Sequence, residues 1–352
     1  MAGDRKGRAE KGEGRAPGSA KPTLRTISEL TGLAVTTVSR ALSNAPQLSA
    51  ETRERVRRVA DEIGYLPDRA ALRLKTGRTN VISLVLDPHQ EILGFSNSIM
   101  NGLTLALRDT PLHLIVTPTF PNMPLTEPVE FIVRNRLADG IIFTRTEPFD
   151  PRVRLLLEAG FPFVTHGRTE FSTPHPFVDF DNSAFAYEAT RRLIARGRRK
   201  VTTILPPRRL TFGQHLLHGF MTAVREAGVD YEIPSAVTLD TPAGEIRAFV
   251  AERAGQSEPP DAYVCSGEVS ALATISALAG RGMVLGREYD IVAKQTSRLL
   301  TDIEPEVETI YEDLAVAGES MGRLLMRSIA GEEAEALQIL QPPRFELPSD
   351  PR

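Results

Sequence analysis

In the segment Val35-Thr36-Thr37-Val38-Ser39-Arg40-Ala41-Leu42, the apolar side of a short helix is defined by Val38 and Leu42, which leaves Thr36, Thr37, Ser39 and Arg40 outside. Small hydroxyls and one guanidinium on such an exposed helix suit base edges and phosphates in a major groove about 12 Å wide. A second set of residues follows directly after predicted strands: Asp87, His89 and Phe95 after the first, Thr144 and Arg145 after the third, His166 and Arg168 after the fourth. Ligands of open α/β sheets bind beyond the carboxyl ends of the strands, so position alone selects these as candidate ligand contacts. Phe95, Phe143 or Phe212 offers an aromatic face for a ring, while carboxylates and amides take polar groups upon it.

Two kinds of scaffold must hold these groups. From Thr23 to about Leu74 the chain reads as short helices with no strand between them. Leu24, Ile27 and Leu30 are spaced to one helical face with Thr23 as N-cap, and Gly32-Leu33 supplies a tight turn into the second helix. A third helix over 49–63 starts at Ser49, stops at Gly64 and turns Val56, Val59 and Ile63 inward. From Val81 onward, apolar β-rich runs at 81–86, 112–117, 140–143, 163–165, 201–205, 262–265 and 290–293 alternate with helical patterns at 97–107, 153–159, 184–195, 214–227 and 270–279. That alternation predicts parallel sheets covered on both faces, in two consecutive α/β halves with a ligand cleft at their junction. A late helix over 314–329 precedes a Pro-rich tail.

The strings Ser28-Glu29-Leu30-Thr31-Gly32-Leu33, Thr36-Thr37-Val38-Ser39-Arg40-Ala41-Leu42 and Gly64-Tyr65-Leu66-Pro67-Asp68-Arg69-Ala70-Ala71 closely resemble the headpiece of the lactose-repressor (LacI) family. The resemblance extends over nearly the whole chain after Lys21 and is sharpest in 23–75. It implies an all-α helix-turn-helix head (22–67) behind a disordered basic tail (1–21), then a hinge helix and linker (68–80). An α/β, periplasmic-binding-protein-like body of two Rossmann-like subdomains follows (81–352), crossed by the chain three times. By the same resemblance Val35 and Thr36 read bases, and Thr37, Ser39 and Arg40 add base or phosphate contacts. Asn44 closes the recognition helix, and Thr23, Arg69 and Ala71 belong with the DNA-binding set. Leu74 matches the lever residue of hinge helices that form only when two subunits lie together on DNA. An apolar wedge of that kind kinks the minor groove, and eight residues are too few to stay helical alone.

In the body, Asp181-Asn182 matches the family's Asp-Asn pair near the effector. Two departures stand out: Leu216 occupies the place of a frequent arginine, and Gln295 that of an expected sugar-binding aspartate. Lys294, Gln295, Gln214 and His215 are similar to those of the regulators that answer to α-glucosides and related disaccharides. The same mix of Arg, Lys and His equally suits an anionic or phosphorylated ligand. Release of DNA by the effector is expected, although a corepressor carries the same sequence signature. The expected partners are operator DNA in a pseudo-palindrome, a small sugar effector and a second copy of the chain.

Composition bounds the remainder. The chain has 352 residues and a formal net charge of -3, yet residues 1–80 hold 16 Lys/Arg against 9 Asp/Glu, so the rest is acidic. A basic head on an acidic body suits a phosphate-binding module on a regulator. A single cysteine, Cys265, fits a small core residue in a reducing cytosol. No run of 18 apolar residues and no signal-peptide stretch occur, so a cytoplasmic, non-membrane protein is expected and a sugar-binding transport receptor is disfavoured. His215 and His218 lack companion ligands, the glycines of 280–286 lack nucleotide-binding spacing, and neither Gly-x-Ser-x-Gly nor a Walker A string appears. No metal, cofactor or catalytic site is expected. The tail from Leu340 carries no apolar heptad for a tetramer contact, leaving a homodimer.

Overall fold

The computed structural model describes residues 21–66, 73, 77–87, 94–120 and 122–345. The chain divides into two compact units, residues 1–78 and 79–352. Among its described residues, the first contains α1 (Leu24–Thr31), α2 (Val35–Leu42) and α3 (Ala50–Glu62). Thr23 and Thr26 cap α1 reciprocally, and Gly32 ends it at φ 69°, a left-handed turn open to glycine without a Cβ clash. Ser49 caps α3 by accepting the Thr52 amide. Ile27, Val38, Ala41, Val56 and Ala60 form the small core, with Leu24, Leu33, Leu42, Val59 and Ile63 packed around it.

One expected core residue falls outside. Leu30 is 59% exposed, and Thr31 is buried in its place with its hydroxyl on the Ile27 carbonyl. At 100° per residue the buried stripe runs through Leu24, Ile27 and Thr31, and Leu30 lies roughly 90° from its centre.

In the second unit the first half contains β1 (Val81–Leu86), α4 (Phe95–Leu107), β2 (His113–Pro118), α5 (Glu127–Asn135), β3 (Gly140–Thr144), α6 (Pro151–Glu158), β4 (Phe163–His166) and β5 (Phe177–Phe180). The second half contains α7 (Asn182–Ala195), β6 (Lys200–Thr203), α8 (Thr211–Ala227), β7 (Asp230–Glu232), α9 (Ala243–Ala254), β8 (Ala262–Cys265), α10 (Glu268–Ala279), β9 (Asp290–Gln295), α11 (Leu299–Ile303) and β10 (Glu308–Tyr311). Then α12 (Leu314–Ile329) and β11 (Gln338–Gln341) return to the first.

The two sheets run β11-β5-β4-β3-β1-β2 and β10-β9-β8-β6-β7, with parallel pairing throughout. The chain therefore crosses between halves three times: after Phe180, between Tyr311 and Leu314, and after Gln341, where Arg344 pairs with Tyr311. The central strands are fully buried, as both-face coverage demands. Helices α4 and α12 approach so closely that a Cβ on Gly102 would lie 2.0 Å from the Ala315 carbonyl oxygen, and one on Gly318 2.4 Å from that of Ile99.

The sequence reading omitted the strands at 177–180, 230–232, 308–311 and 338–341, all short and some with charged residues inside them. The tail is consequently not an appendage, because its first two residues, Leu340 and Gln341, complete the edge strand on β5. Among the described residues, no helix is long and apolar enough to cross a membrane.

Candidate functional site

Strand ends and the loops beyond them converge on a cleft between the halves of the body. The first half contributes Phe95, Arg145, Thr146, His166, Gly167 and Asp179; the second contributes Asn182, Phe212, Leu239, Ser266, Lys294 and Glu312. Two phenyl rings thus stand among carboxylates, an ammonium group, an amide and hydroxyls, a lining suited to a ring with many hydroxyl groups.

Its cations are already paired. Lys294 Nζ lies 2.6 Å from Glu312 Oε2, both side chains being 4% exposed or less, and 3.3 Å from Asn182 Oδ1. Arg168 Nε lies 3.2 Å from Asp179 Oδ2. Arg145 donates to both oxygens of Asp240, at 2.8 and 2.6 Å, from one half of the body to the other. The Arg145 backbone is left-handed at φ 57°. Its carbonyl, with that of Thr144, accepts from Arg152, which is itself buried against Asp150 and stacked on Phe143. The Thr211 amide donates to the Thr146 carbonyl at 2.9 Å and joins the halves again.

Burial pushes the Asp179 carboxyl up to about 7, with the Arg168 charge opposing and the Glu312 charge reinforcing the rise. His215 borders Asp179, its Nδ1 4.0 Å from Oδ2, and is held below its usual value by burial and then by Arg168. Burial, then the charge of Asp150, raises Glu147, the residue after Thr146.

Of the residues singled out from sequence, Phe95, Arg145, His166, Asn182, Phe212 and Lys294 line the cleft, and Arg168 and His215 border it through Asp179. His89 lies outside the described residues. Four others are used elsewhere. The Gln295 amide is fully buried between Thr309 and Thr301, Asp181 caps α7 by accepting the Ala184 amide, Asp87 accepts from Thr119, and Gln214 is exposed. Phe143 is sealed in the core between Arg152 and Phe163.

Sequence reasoning missed Asp179, Ser266 and Glu312. Asp179 carried a usable signal, a lone carboxylate inside the apolar strand Phe177–Phe180. Glu312 follows a strand the sequence did not reveal.

In the head, α2 presents Val35, Thr36 and Arg40 to the surface, with Thr37 and Ser39 partly covered. Asn44 takes a left-handed conformation at φ 57° and accepts from Arg57, which fixes the turn after α2. Thr23 serves as the α1 cap. Arg69, Ala71 and Leu74 lie outside the described residues.

Residues 23–68 match the model for bacterial regulatory proteins of the lacI family, and residues 79–338 match that for periplasmic binding proteins and the sugar binding domain of the LacI family. The chain is 31% identical to the HTH-type transcriptional regulator AglR of Rhizobium meliloti, over 88% of each protein. It is 28% identical to the HTH-type transcriptional regulator CelR of Thermobifida fusca, over 91% of this chain and 95% of that one. Among solved structures, a CelR–cellobiose complex superposes with a TM-score of 0.67 at 26% identity, covering 93% of this chain and 99% of that one. The lac repressor dimer bound to operator gives 0.78 at 19% identity, covering 92% and 97%.

Proposed function

The chain belongs to the LacI family of bacterial regulators, its body being the family's sugar-binding domain, and from that premise we propose that it is a cytoplasmic transcription repressor released from DNA by a neutral disaccharide, with α-glucosides foremost. Two copies bind a pseudo-palindromic operator through the heads at 22–67, with hinges at 68–80 and effector and dimer contacts in 81–352. Thr36, Thr37, Ser39 and Arg40 meet bases and phosphates, Val35 offers a methyl surface to thymine, and Leu74 is the minor-groove lever. The related lac repressor was solved as a dimer on operator, which supports the two-headed arrangement. The protein works by binding and not by catalysis, in keeping with relatives named as transcriptional regulators.

The observation that carries the effector assignment is the charge balance of the cleft. Lys294, Arg168 and Arg145 each face a carboxylate, at 2.6, 3.2 and 2.6 Å. A phosphate group would have to take a cation away from its partner, whereas hydroxyls can donate to the carboxylates and accept from the cations without breaking a pair. The CelR complex with cellobiose supports a disaccharide. The effector must bind the DNA-free state better than the DNA-bound one, since only differential affinity shifts the equilibrium.

Thermal melting of the purified chain across mono- and disaccharides and sugar phosphates tests this. A ligand at a hundredfold excess over its Kd stabilises by about 2.7 kcal/mol. Stabilisation by a neutral disaccharide is expected; stabilisation by sugar phosphates alone would overturn the assignment.

A further inference from the structure

We propose that Asp179 sets the cleft's demand for a hydroxyl donor by accepting one effector hydroxyl on Oδ2. This deepens, and rests on, the reading of the cleft as a neutral-sugar site. The Asp179 side chain is 4% exposed and faces the cleft from β5. Its Oδ2 lacks an aligned hydrogen-bond donor, although Arg168 Nε approaches to 3.2 Å and His215 Nδ1 to 4.0 Å. A buried oxygen left in that state costs free energy, which a donor placed by a ligand recovers.

Ser266 Oγ and His215 Nδ1 likewise lack an aligned hydrogen-bond partner, whereas Glu312 Oε2 holds the Lys294 ammonium at 2.6 Å. All three belong to the second half of the body, and Asp179 belongs to the first. A ring hydroxyl on Asp179 therefore ties a ligand held by the second half to the first. An ionised carboxylate only accepts, so an ether, carbonyl or phosphate oxygen at this point leaves Oδ2 unmet.

Arg168 beyond β4 and His215 on α8 approach Asp179 directly, and the charge of Glu312 beyond β10 acts on it; Glu170 in turn faces His215, and His166 and Lys294 face Glu312. Burial places the Asp179 carboxyl at about 7, while backbone amides of Phe180 and Arg168 and the Arg168 charge favour its ionised form. His215 titrates on the acid side of that value. A hydroxyl donor prefers the carboxylate, so affinity rises with pH: the ionised fraction grows from about one tenth at pH 6 to about nine tenths at pH 8, roughly ninefold.

Calorimetry of the full chain with maltose, cellobiose, trehalose and sucrose at pH 6 and pH 8 tests the assignment, alongside Asp179→Asn and Asp179→Ala. The disaccharide that binds the wild type is expected to bind either variant roughly tenfold or more weakly at pH 8, with the pH dependence gone. A monodeoxy analogue lacking the hydroxyl read by Asp179 should lose affinity for the wild type and no further affinity for Asp179→Asn. If both variants bind that disaccharide as tightly as wild type, the Asp179 assignment is wrong and the sugar reading stands. If no neutral disaccharide binds the wild type, the sugar reading fails and takes the assignment with it.

Discussion

Replacing Glu312 by Gln strands the Lys294 ammonium in the cleft wall. The two groups are 2.6 Å apart and no more than 4% exposed. At an effective dielectric of about 20, unit charges at that distance attract by roughly 6 kcal/mol, much of it offset by desolvation of both ions. Removing one partner exposes the unreturned desolvation of the other, which costs about 3–5 kcal/mol in buried pairs. Asn182 Oδ1 at 3.3 Å and the Phe180 ring at 5.1 Å remain to hold the ammonium, which places the loss near the lower end, about 3 kcal/mol. Each kcal/mol moves the melting point of a body this size by about 2–4 °C, so Glu312→Gln should melt roughly 6–12 °C lower. Lys294→Met added to it removes the stranded charge and should recover most of the loss. Urea denaturation of wild type, both singles and the double closes the cycle. A loss under about 1 kcal/mol for Glu312→Gln, or a double variant no more stable than that single, would refute the account of a mutually dependent buried pair.

Other expectations follow from single features. Because the folded Asp179 titrates near 7 and an unfolded Asp near 3.8, folding loses stability as pH rises between those values, by up to about 4 kcal/mol. Asp179→Asn should accordingly stabilise the body at pH 8 and gain nothing near pH 4; equal effects at both would contradict the cause given. Gly102→Ala pushes a methyl into the Ala315 carbonyl, 2.0 Å away, and should cost about 1–3 kcal/mol or more by chemical denaturation. Arg145→Ala removes the bidentate tie to Asp240 between the halves and should expand the body in small-angle scattering, with the Asp240→Ala variant behaving alike. Arg40→Ala should weaken operator binding by about 1–3 kcal/mol, shared equally by both half-sites in footprinting.

The head was legible almost to the residue because its signals are local: a Thr cap, a left-handed Gly32, a Ser cap and a 3.6-residue apolar stripe all act within one turn. Leu30 was misplaced because its spacing to Ile27 fits a helical face that the third-helix contacts do not cover. The alternation of strands and helices in the body was equally readable, but the sheet edges were not. Asp230–Glu232 is three residues long and two of them are acids, and Gln338–Gln341 pairs with a strand more than 150 positions earlier. The cleft was half legible for the same reason. Phe95, Arg145, His166 and Lys294 follow or end strands with strong apolar patterns, whereas Asp179 and Glu312 depend on strands too short to see. Gln295 shows the converse limit: on a strand, neighbouring side chains point to opposite faces, so Lys294 enters the cleft and Gln295 turns to Thr309 and Thr301.

The measurement that bears most directly on the account is fluorescence anisotropy of the full chain on a duplex selected from random sequence, titrated with the disaccharide that stabilises the body. Two protomers on a pseudo-palindromic duplex, losing roughly tenfold to a hundredfold in affinity at saturating disaccharide, are the predicted result. Tighter binding with the disaccharide, release by sugar phosphates alone, or a single protomer on an asymmetric site would contradict it.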